Sequence, residues 1–338
     1  MFESILPPLI SFVSREALAE RCHGFSARLA PRGLRLWFRM NLGPTLVLDT
    51  FAEAFRMRYV RLVVTAADEY WLDAALRECT GYGSSVIGCD AEIGVERLLP
   101  ATETPDGRPG AAVLAFGFSA EALAKAMPNR VGQCLMTCPT TAVYNGLQET
   151  EESIPLGKQL RFFGDGFQKS KLLEGPLGNH RYWRIPVMDG EFLVEEKLGV
   201  AKGVAGGNII LQAATLELAL AAARRASEAL ATMAGCVTPF PGGVVRSGSK
   251  VGSTYKGMVA STNDAYCPTL RGRVQSELVD GANCAYEIVI DGIDEPAVAA
   301  AMKTVLHTAA GEGVLAIGAG NYGGKLGKFH FHLRELLS

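Results

Sequence analysis

The chain has 338 residues, of which 48% are apolar and 20% charged, with a formal net charge of -2. That length favours two domains, and the balance is that of a folded protein rather than a disordered one. Near-neutral charge gives no electrostatic reason to expect nucleic acid or an anionic membrane, so small molecules or other proteins are the expected partners.

Taken in chain order, residues 1–39 carry an early apolar patch followed by arginines. A secretory signal would place its charges first, and Glu3, Glu16 and Glu20 argue against a transit peptide. The adopted reading is an extension outside the fold, with Met40 as the start. No run approaches the ~20 apolar residues of a membrane span.

From about Leu46 the pattern becomes regular. Residues 58–65 (RYVRLVVT) read as a strand, 67–80 as an amphipathic helix and 84–89 as a second short strand. After a Pro- and Gly-rich loop come a third strand (111–117), a helix (120–127) and a fourth strand (133–137). Residues 157–198 alternate polar and apolar side chains between glycine turns, as in an antiparallel β-rich connector. The first order then recurs: strand 208–212, helix 215–233, strands 236–240 and 285–290, helix 295–310 and strand 314–317. Two βαββαβ units predict an α+β fold of two ferredoxin-like, split βαβ lobes with antiparallel sheets. The expected lobes are residues 46–187 and 188–338.

Eight cysteines are scattered: Cys22, Cys79, Cys89, Cys134, Cys138, Cys236, Cys267 and Cys284. None shows the paired spacing of a structural zinc site, so packed free thiols and a reducing, cytoplasmic setting are expected. His330 and His332 share one side of a terminal strand, but no carboxylate or cysteine cluster accompanies them, so they read as surface or interface histidines. No metal site is expected.

Glycine clusters carry more information. They fall at 203–208, 238–253 and 318–327. Such loops turn with positive φ and bring backbone N–H groups close to a ligand. Residues 247–250 lack the first glycine of a phosphate loop, and Val251 follows Lys250 where Ser or Thr belongs. The 318–327 cluster follows the last helix-flanked strand and opens no helix, which excludes a dinucleotide fingerprint.

One carboxylate stands out. In Tyr286-Glu287-Ile288-Val289-Ile290, alternation places Glu287 with Val289 and Asp291, opposite Tyr286, Ile288 and Ile290. Desolvation there would raise its pKa and suit a proton shuttle. The alternative is a glutamate on the open face of a half-exposed sheet, which these residues by themselves favour.

Ten segments then point one way. They are 49–55 (DTFAEAF), 80–83, 103–110 (ETPDGRPG), 137–142, 163–166 and 186–188, followed by 204–208, 240–253, 261–263 and 320–327. In that order, from about Leu46 to the carboxyl end, the chain resembles formylmethanofuran:tetrahydromethanopterin formyltransferases. The resemblance implies a cytoplasmic homotetramer of two-lobed subunits, with sites at subunit contacts and neither metal nor bound prosthetic group. Methanofuran and tetrahydromethanopterin would act as carrier co-substrates in formaldehyde oxidation to formate, with hydrolase-complex subunits as possible partners. It also implies that Glu287 is the catalytic acid, reversing the reading from alternation alone. The expected carrier-binding residues are Phe240, Gly242, Gly243, Ser247, Ser249, Lys250, Ser253, Asn263, Asn321, Tyr322 and Lys325. Arg246 stands where a small residue is expected, and Ser84 where some relatives have cysteine. The competing readings are a non-catalytic scaffold subunit and a pterin-binding protein with one carrier pocket.

Overall fold

The computed structural model describes residues 40–175 and 178–338, so the reading of 1–39 as an extension lies outside the described residues. A hairpin of β1 (Met40–Leu42) and β2 (Thr45–Val47) leads into β3 (Phe51–Thr65), which starts well before the expected position 58. Next come α1 (Glu69–Thr80), β4 (Glu92–Leu99), β5 (Gly110–Gly117), α2 (Ala120–Arg130) and β6 (Ala142–Asn145). This first unit has the expected βαββαβ order, but two of its strands lie elsewhere.

Residues 84–89 form turns, tied by Gly88 and Cys89 N–H groups to the Ser85 carbonyl, and the strand is β4. Buried Glu92 and Glu96 disguised β4, because alternation reads a glutamate as solvent-facing. Residues 131–135 continue α2 as a π-helical turn instead of forming a strand. Val131 and Leu135, four apart and fully buried, both point into the helical layer. Arg130 fixes that turn: its Nη1 donates to the Cys79 carbonyl at 2.7 Å and the Gly81 carbonyl at 2.9 Å, at the end of α1.

β7 (Glu152–Pro155) precedes a helical stretch, Gly157–Leu160 continuing through Arg161–Gly164, where the connector was expected to be extended. Beyond it, β8 (Lys169–Gly175), β9 (Gly178–Val187) and β10 (Gly190–Glu195) form the expected antiparallel meander. β11 (Lys197–Ala213) opens a second unit with α3 (Leu216–Leu230) and β12 (Cys236–Val237). β12 stops short because Pro239 and Pro241 have no N–H for a ladder. A separate hairpin of β13 (Lys250–Val251) and β14 (Ala260–Ser261) precedes β15 (Cys284–Gly292), α4 (Glu295–Ala309), β16 (Val314–Gly318) and β17 (Phe329–His332).

The four long helices, α1 to α4, start on a side-chain cap: Asp68, Ser119, Thr215 and Asp294 each accept the N–H three residues on. Each cap contributes about 1 kcal/mol, and Glu69, Glu121, Glu217 and Glu295 in the first turns complement the helix dipoles. Within each unit the strands lie in the same order, β4-β5-β3-β6 and β12-β15-β11-β16. In the first, Val60, Leu62 and Val64 bury under Leu76, Leu123 and Met127; in the second, Ile288 and Ile290 bury under Ala222, Val298 and Met302.

The units are joined through their long strands. Residues Phe55–Tyr59 of β3 pair with Ala201–Ala205 of β11, which merges both units into one sheet of fifteen strands among the described residues. The chain ends also cross over: β2 pairs with β16, and β17 pairs with β3. The faces left bare by the helices meet each other, packing Tyr59, Leu114 and Phe116 against Ala205 and Val237. Three carboxylates are buried at or beside this contact. Glu96 takes Arg61 at 2.7 and 2.8 Å and the Gly235 N–H at 2.7 Å, while Glu92 and Asp291 face one another.

Candidate active site

Glu287 sits in the middle of β15, held on both sides by backbone pairing. Its neighbour across β11 is Ile210, and its own N–H and carbonyl exchange hydrogen bonds of 3.1 and 2.7 Å with Val245. Residues directly opposite in antiparallel strands share a face, so buried Ile210 and Val245 flank the carboxylate. The helices cover the Ile288 face, which leaves Glu287 facing the loops. Burial pushes its carboxyl up to about 7, and among the described residues it accepts no hydrogen bond.

β11 organises the loops above it with every second residue. Asn208 accepts the Gly320 N–H at 2.6 Å and donates to the Gly320 carbonyl at 3.1 Å, fastening the last glycine loop. Gln212, fully buried, accepts the Val279 N–H at 2.8 Å and donates to the Glu277 carbonyl at 3.3 Å, fastening the segment before β15. Ile210 lies between them, beneath Glu287.

The last glycine loop is shaped by Glu53 of β3. Its buried carboxylate accepts four backbone N–H groups, from Tyr322 at 2.7 Å, Gly324 at 2.9 Å, Leu326 and Gly327. Burial acts to raise its pKa, but these four donors outweigh it and hold the carboxyl below the usual range. A Cβ on Gly327 would stand 2.5 Å from the Ala54 carbonyl oxygen, so only glycine lets the loop lie this close to β3.

The 245–248 and 263–267 loops, with β15, frame a small cavity of about 40 Å³, lined by Glu287 together with Arg246, Ser247, Asn263, Tyr266 and Tyr286; the last glycine loop does not line it. Gly248, with φ at +55°, brings the 245–253 loop against Asn263; a Cβ there would fall 2.7 Å from the Asn263 Cβ. Tyr322 lies within the electrostatic reach of Glu287; burial, then the Glu287 and Glu53 charges, raise its phenol. Of the expected carrier-binding residues, Ser247 and Asn263 therefore line the cavity with Glu287, and Tyr322 stands near it.

The others are placed differently. Phe240, Gly242 and Gly243 form the tight turn that follows β12, with Gly243 wedged against Ser227 and Thr238. Asn321 is engaged by the protein itself, donating to the Thr50 hydroxyl at 3.2 Å and the Phe51 carbonyl at 3.1 Å. Lys250 pairs with Asp264 at 2.6 Å. Ser249 is exposed, Lys325 is exposed on the last glycine loop, and Ser253 accepts the Tyr255 N–H at 3.1 Å. Glycines 203–207 shape a β-bulge in β11.

Sequence reasoning missed Glu53, Asn208, Gln212 and Tyr266 as site-forming residues. Glu53 and Asn208 lie inside segments that carried the family resemblance, and Tyr266 lies three residues beyond Asn263 in another. Gln212 left no signal.

Among the described residues no group of three or more His, Cys, Asp or Glu side chains is arranged to hold a metal ion. His330 and His332 are exposed on β17 beside Phe51.

A family model described as formylmethanofuran-tetrahydromethanopterin formyltransferase matches residues 40–187, and one described as its proximal lobe matches residues 190–336. The chain is similar to formylmethanofuran--tetrahydromethanopterin formyltransferase of Rhodopirellula baltica, 50% identical over 312 residues, covering 88% of this chain and 93% of the relative. The solved structure of the Methanosarcina barkeri formyltransferase superposes with a TM-score of 0.82 at 44% identity, covering 88% of this chain and 100% of the other. A chain of the formyltransferase/hydrolase complex from Methylorubrum extorquens, solved with methylofuran, gives a TM-score of 0.85 at 47% identity, covering 89% and 99%. The chain belongs to the formylmethanofuran-tetrahydromethanopterin formyltransferase family.

Proposed function

We propose that the protein transfers a formyl group between formylmethanofuran and N5 of tetrahydromethanopterin, with Glu287 moving the proton. The observation that carries this reading is the unpaired Glu287 carboxyl, raised to about 7, in a cavity framed by the 245–248 and 263–267 loops. The attacking amine forms the new N–C bond, and the formyl carbonyl becomes a tetrahedral oxyanion. Glu287 takes the proton of the attacking nitrogen and returns it to the leaving nitrogen as the old N–C bond breaks. Both ends are amides of similar stability, so positioning, one proton transfer and oxyanion stabilisation suffice.

Ser247 and Asn263 contact the carriers beside Glu287, while Lys250 and Lys325 lie where acidic carrier tails would pass. Arg246 at the cavity lining adds a positive charge. The two units are ferredoxin-like lobes, residues 46–187 and 188–338, a reading supported by their shared strand order. The enzyme works in the cytoplasm as a homotetramer, holds no prosthetic group, and serves formaldehyde oxidation to formate, alone or with hydrolase subunits. Among the described residues no helix is long and apolar enough to cross a membrane. The intact acid and glycine loops favour a catalyst over a scaffold.

The test is formyl transfer followed by pterin absorbance, wild type against Glu287→Gln. Turnover by the wild type with a loss of ~10²-fold or more in the variant supports the assignment. A wild type silent both alone and with hydrolase subunits overturns it in favour of the scaffold.

A further inference from the structure

The cavity beside Glu287 contains a second group that the proton transfer leaves unused. Tyr266 closes the turn Asp264–Tyr266, its N–H on the Asn263 carbonyl at 3.1 Å, and it lines the same cavity as Glu287. The segment is rigidly placed: the Glu277 N–H meets the Ala265 carbonyl at 2.9 Å, and Gln212 clamps the residues that follow to β11. Burial first, then the charges of Glu277 and Glu287, push the Tyr266 phenol up to about 12. At any working pH it is therefore a neutral O–H donor.

Among the described residues neither the Tyr266 hydroxyl nor the Glu287 carboxylate has a hydrogen-bond partner. Both residues are half-buried and line one cavity, so the donor and the acceptor are open to a ligand that engages both. Formyl transfer presents such a ligand, since its tetrahedral intermediate has one nitrogen giving up a proton and one oxygen gaining negative charge.

We infer that Tyr266 is a further catalytic residue, whose phenolic O–H donates a hydrogen bond to the formyl oxygen as it becomes an oxyanion. The charges balance. As the amine attacks, its proton passes to the Glu287 carboxylate while the carbonyl electron pair moves onto oxygen. One negative charge thus leaves the carboxylate as another forms on the oxygen facing Tyr266. Collapse reverses both shifts, with the proton going to the leaving nitrogen. The inference rests on the formyltransferase reading of this cavity, and the oxyanion donor is tested separately from the proton carrier.

The experiment compares wild type, Tyr266→Phe, Glu287→Gln and the double variant in steady-state formyl transfer with formylmethanofuran and tetrahydromethanopterin, across pH. Removing one oxyanion donor is expected to lower kcat by ~10²-fold or more. KM stays nearly unchanged and the Glu287 inflection is retained, because the phenol makes no bond to that carboxylate. Replacement of Tyr266 by 3-fluorotyrosine, which keeps the O–H, restores most of the rate and answers any doubt about folding of the Phe variant. A Phe variant within threefold of wild type, or one that changes KM alone, overturns the inference. If Tyr266→Phe is slow while Glu287→Gln is fully active, the Tyr266 role stands and the Glu287 reading fails. If Glu287→Gln alone is slow, the reverse holds.

Discussion

The Glu53 carboxylate accepts the backbone N–H of Tyr322 at 2.7 Å, across 269 positions of chain. A buried side chain of β3 thereby sets a glycine loop whose tyrosine lies in the field of Glu287. β3 and the last glycine loop form one structural unit, although they lie far apart in sequence.

Replacing Glu53 with Gln is expected to destabilise the protein by about 2–4 kcal/mol, because a buried amide cannot accept all four N–H groups. Hydrogen exchange at Tyr322, Gly324, Leu326 and Gly327 should accelerate, and denaturant unfolding should give the loss. The folded pKa is depressed, so this stabilisation is present above the unfolded value near 4.5 and disappears as pH falls through the folded value. Unchanged exchange at those four amides would contradict the clamp.

For Glu287 the sign is opposite. Its folded carboxyl titrates at about 7, so the base form accumulates as pH rises through neutrality. The transfer rate should rise with an inflection near 7, and Glu287→Gln should lose both the inflection and most of the rate. Stability should run the other way, fully favourable below the unfolded value near 4.5 and lost as pH passes 7. A flat rate profile between pH 6 and 8 would remove Glu287 from the rate-determining proton transfer.

Asp291 offers a purely structural titration. Its Oδ1 accepts the Gly206 N–H at 2.9 Å, and its carboxyl faces the buried Glu92 carboxyl. Burial first, then the Glu92 charge, hold it well above the usual carboxylate range. The raised value means stability complete below about pH 3.8 and lost as pH rises through the folded value. Asp291→Asn should therefore gain roughly 1–3 kcal/mol at alkaline pH, with the gap to wild type closing toward acid. Melting temperatures of both proteins across pH measure it, and parallel curves would refute it.

Arg61→Met should cost about 3 kcal/mol, since the nearly buried Glu96 would lose its counter-charge. The side chain of Arg61 is 23% exposed, and solvent around it keeps the expected loss at the lower end of the range for buried pairs. Adding Glu96→Gln should recover part of the loss by removing the stranded charge. Urea unfolding of the two variants decides the point, and equal stabilities would show that the pair contributes through packing alone.

The helices were legible because periodicity is local. Asp68, Ser119, Thr215 and Asp294 each precede an amphipathic run, and the structure uses every one of them as a cap. Alternation likewise put Glu287 opposite Ile288 and Ile290, where the helical layer lies. The strand at 92–99 was missed because buried Glu92 and Glu96 look solvent-facing, and residues 133–137 read as a strand although 131–135 form a π-turn. A short apolar run does not say whether its neighbours are carbonyls of its own helix or strands from elsewhere.

By itself the sequence determined the four long helices and most strands, the two-unit order, the face of Glu287 and the family to which its glycine motifs belong. Only the tertiary structure decided which of those glycines wall the cavity and which merely let β3 or β11 come close. It also decided that Glu53, Glu92, Glu96 and Asp291 are buried. A carboxylate's own neighbours in sequence do not record what covers it; partners up to 274 positions away do, by supplying the N–H groups or the opposing charge. Ionisation, and with it the chemistry of the site, is therefore a property of the assembled sheet rather than of any local segment.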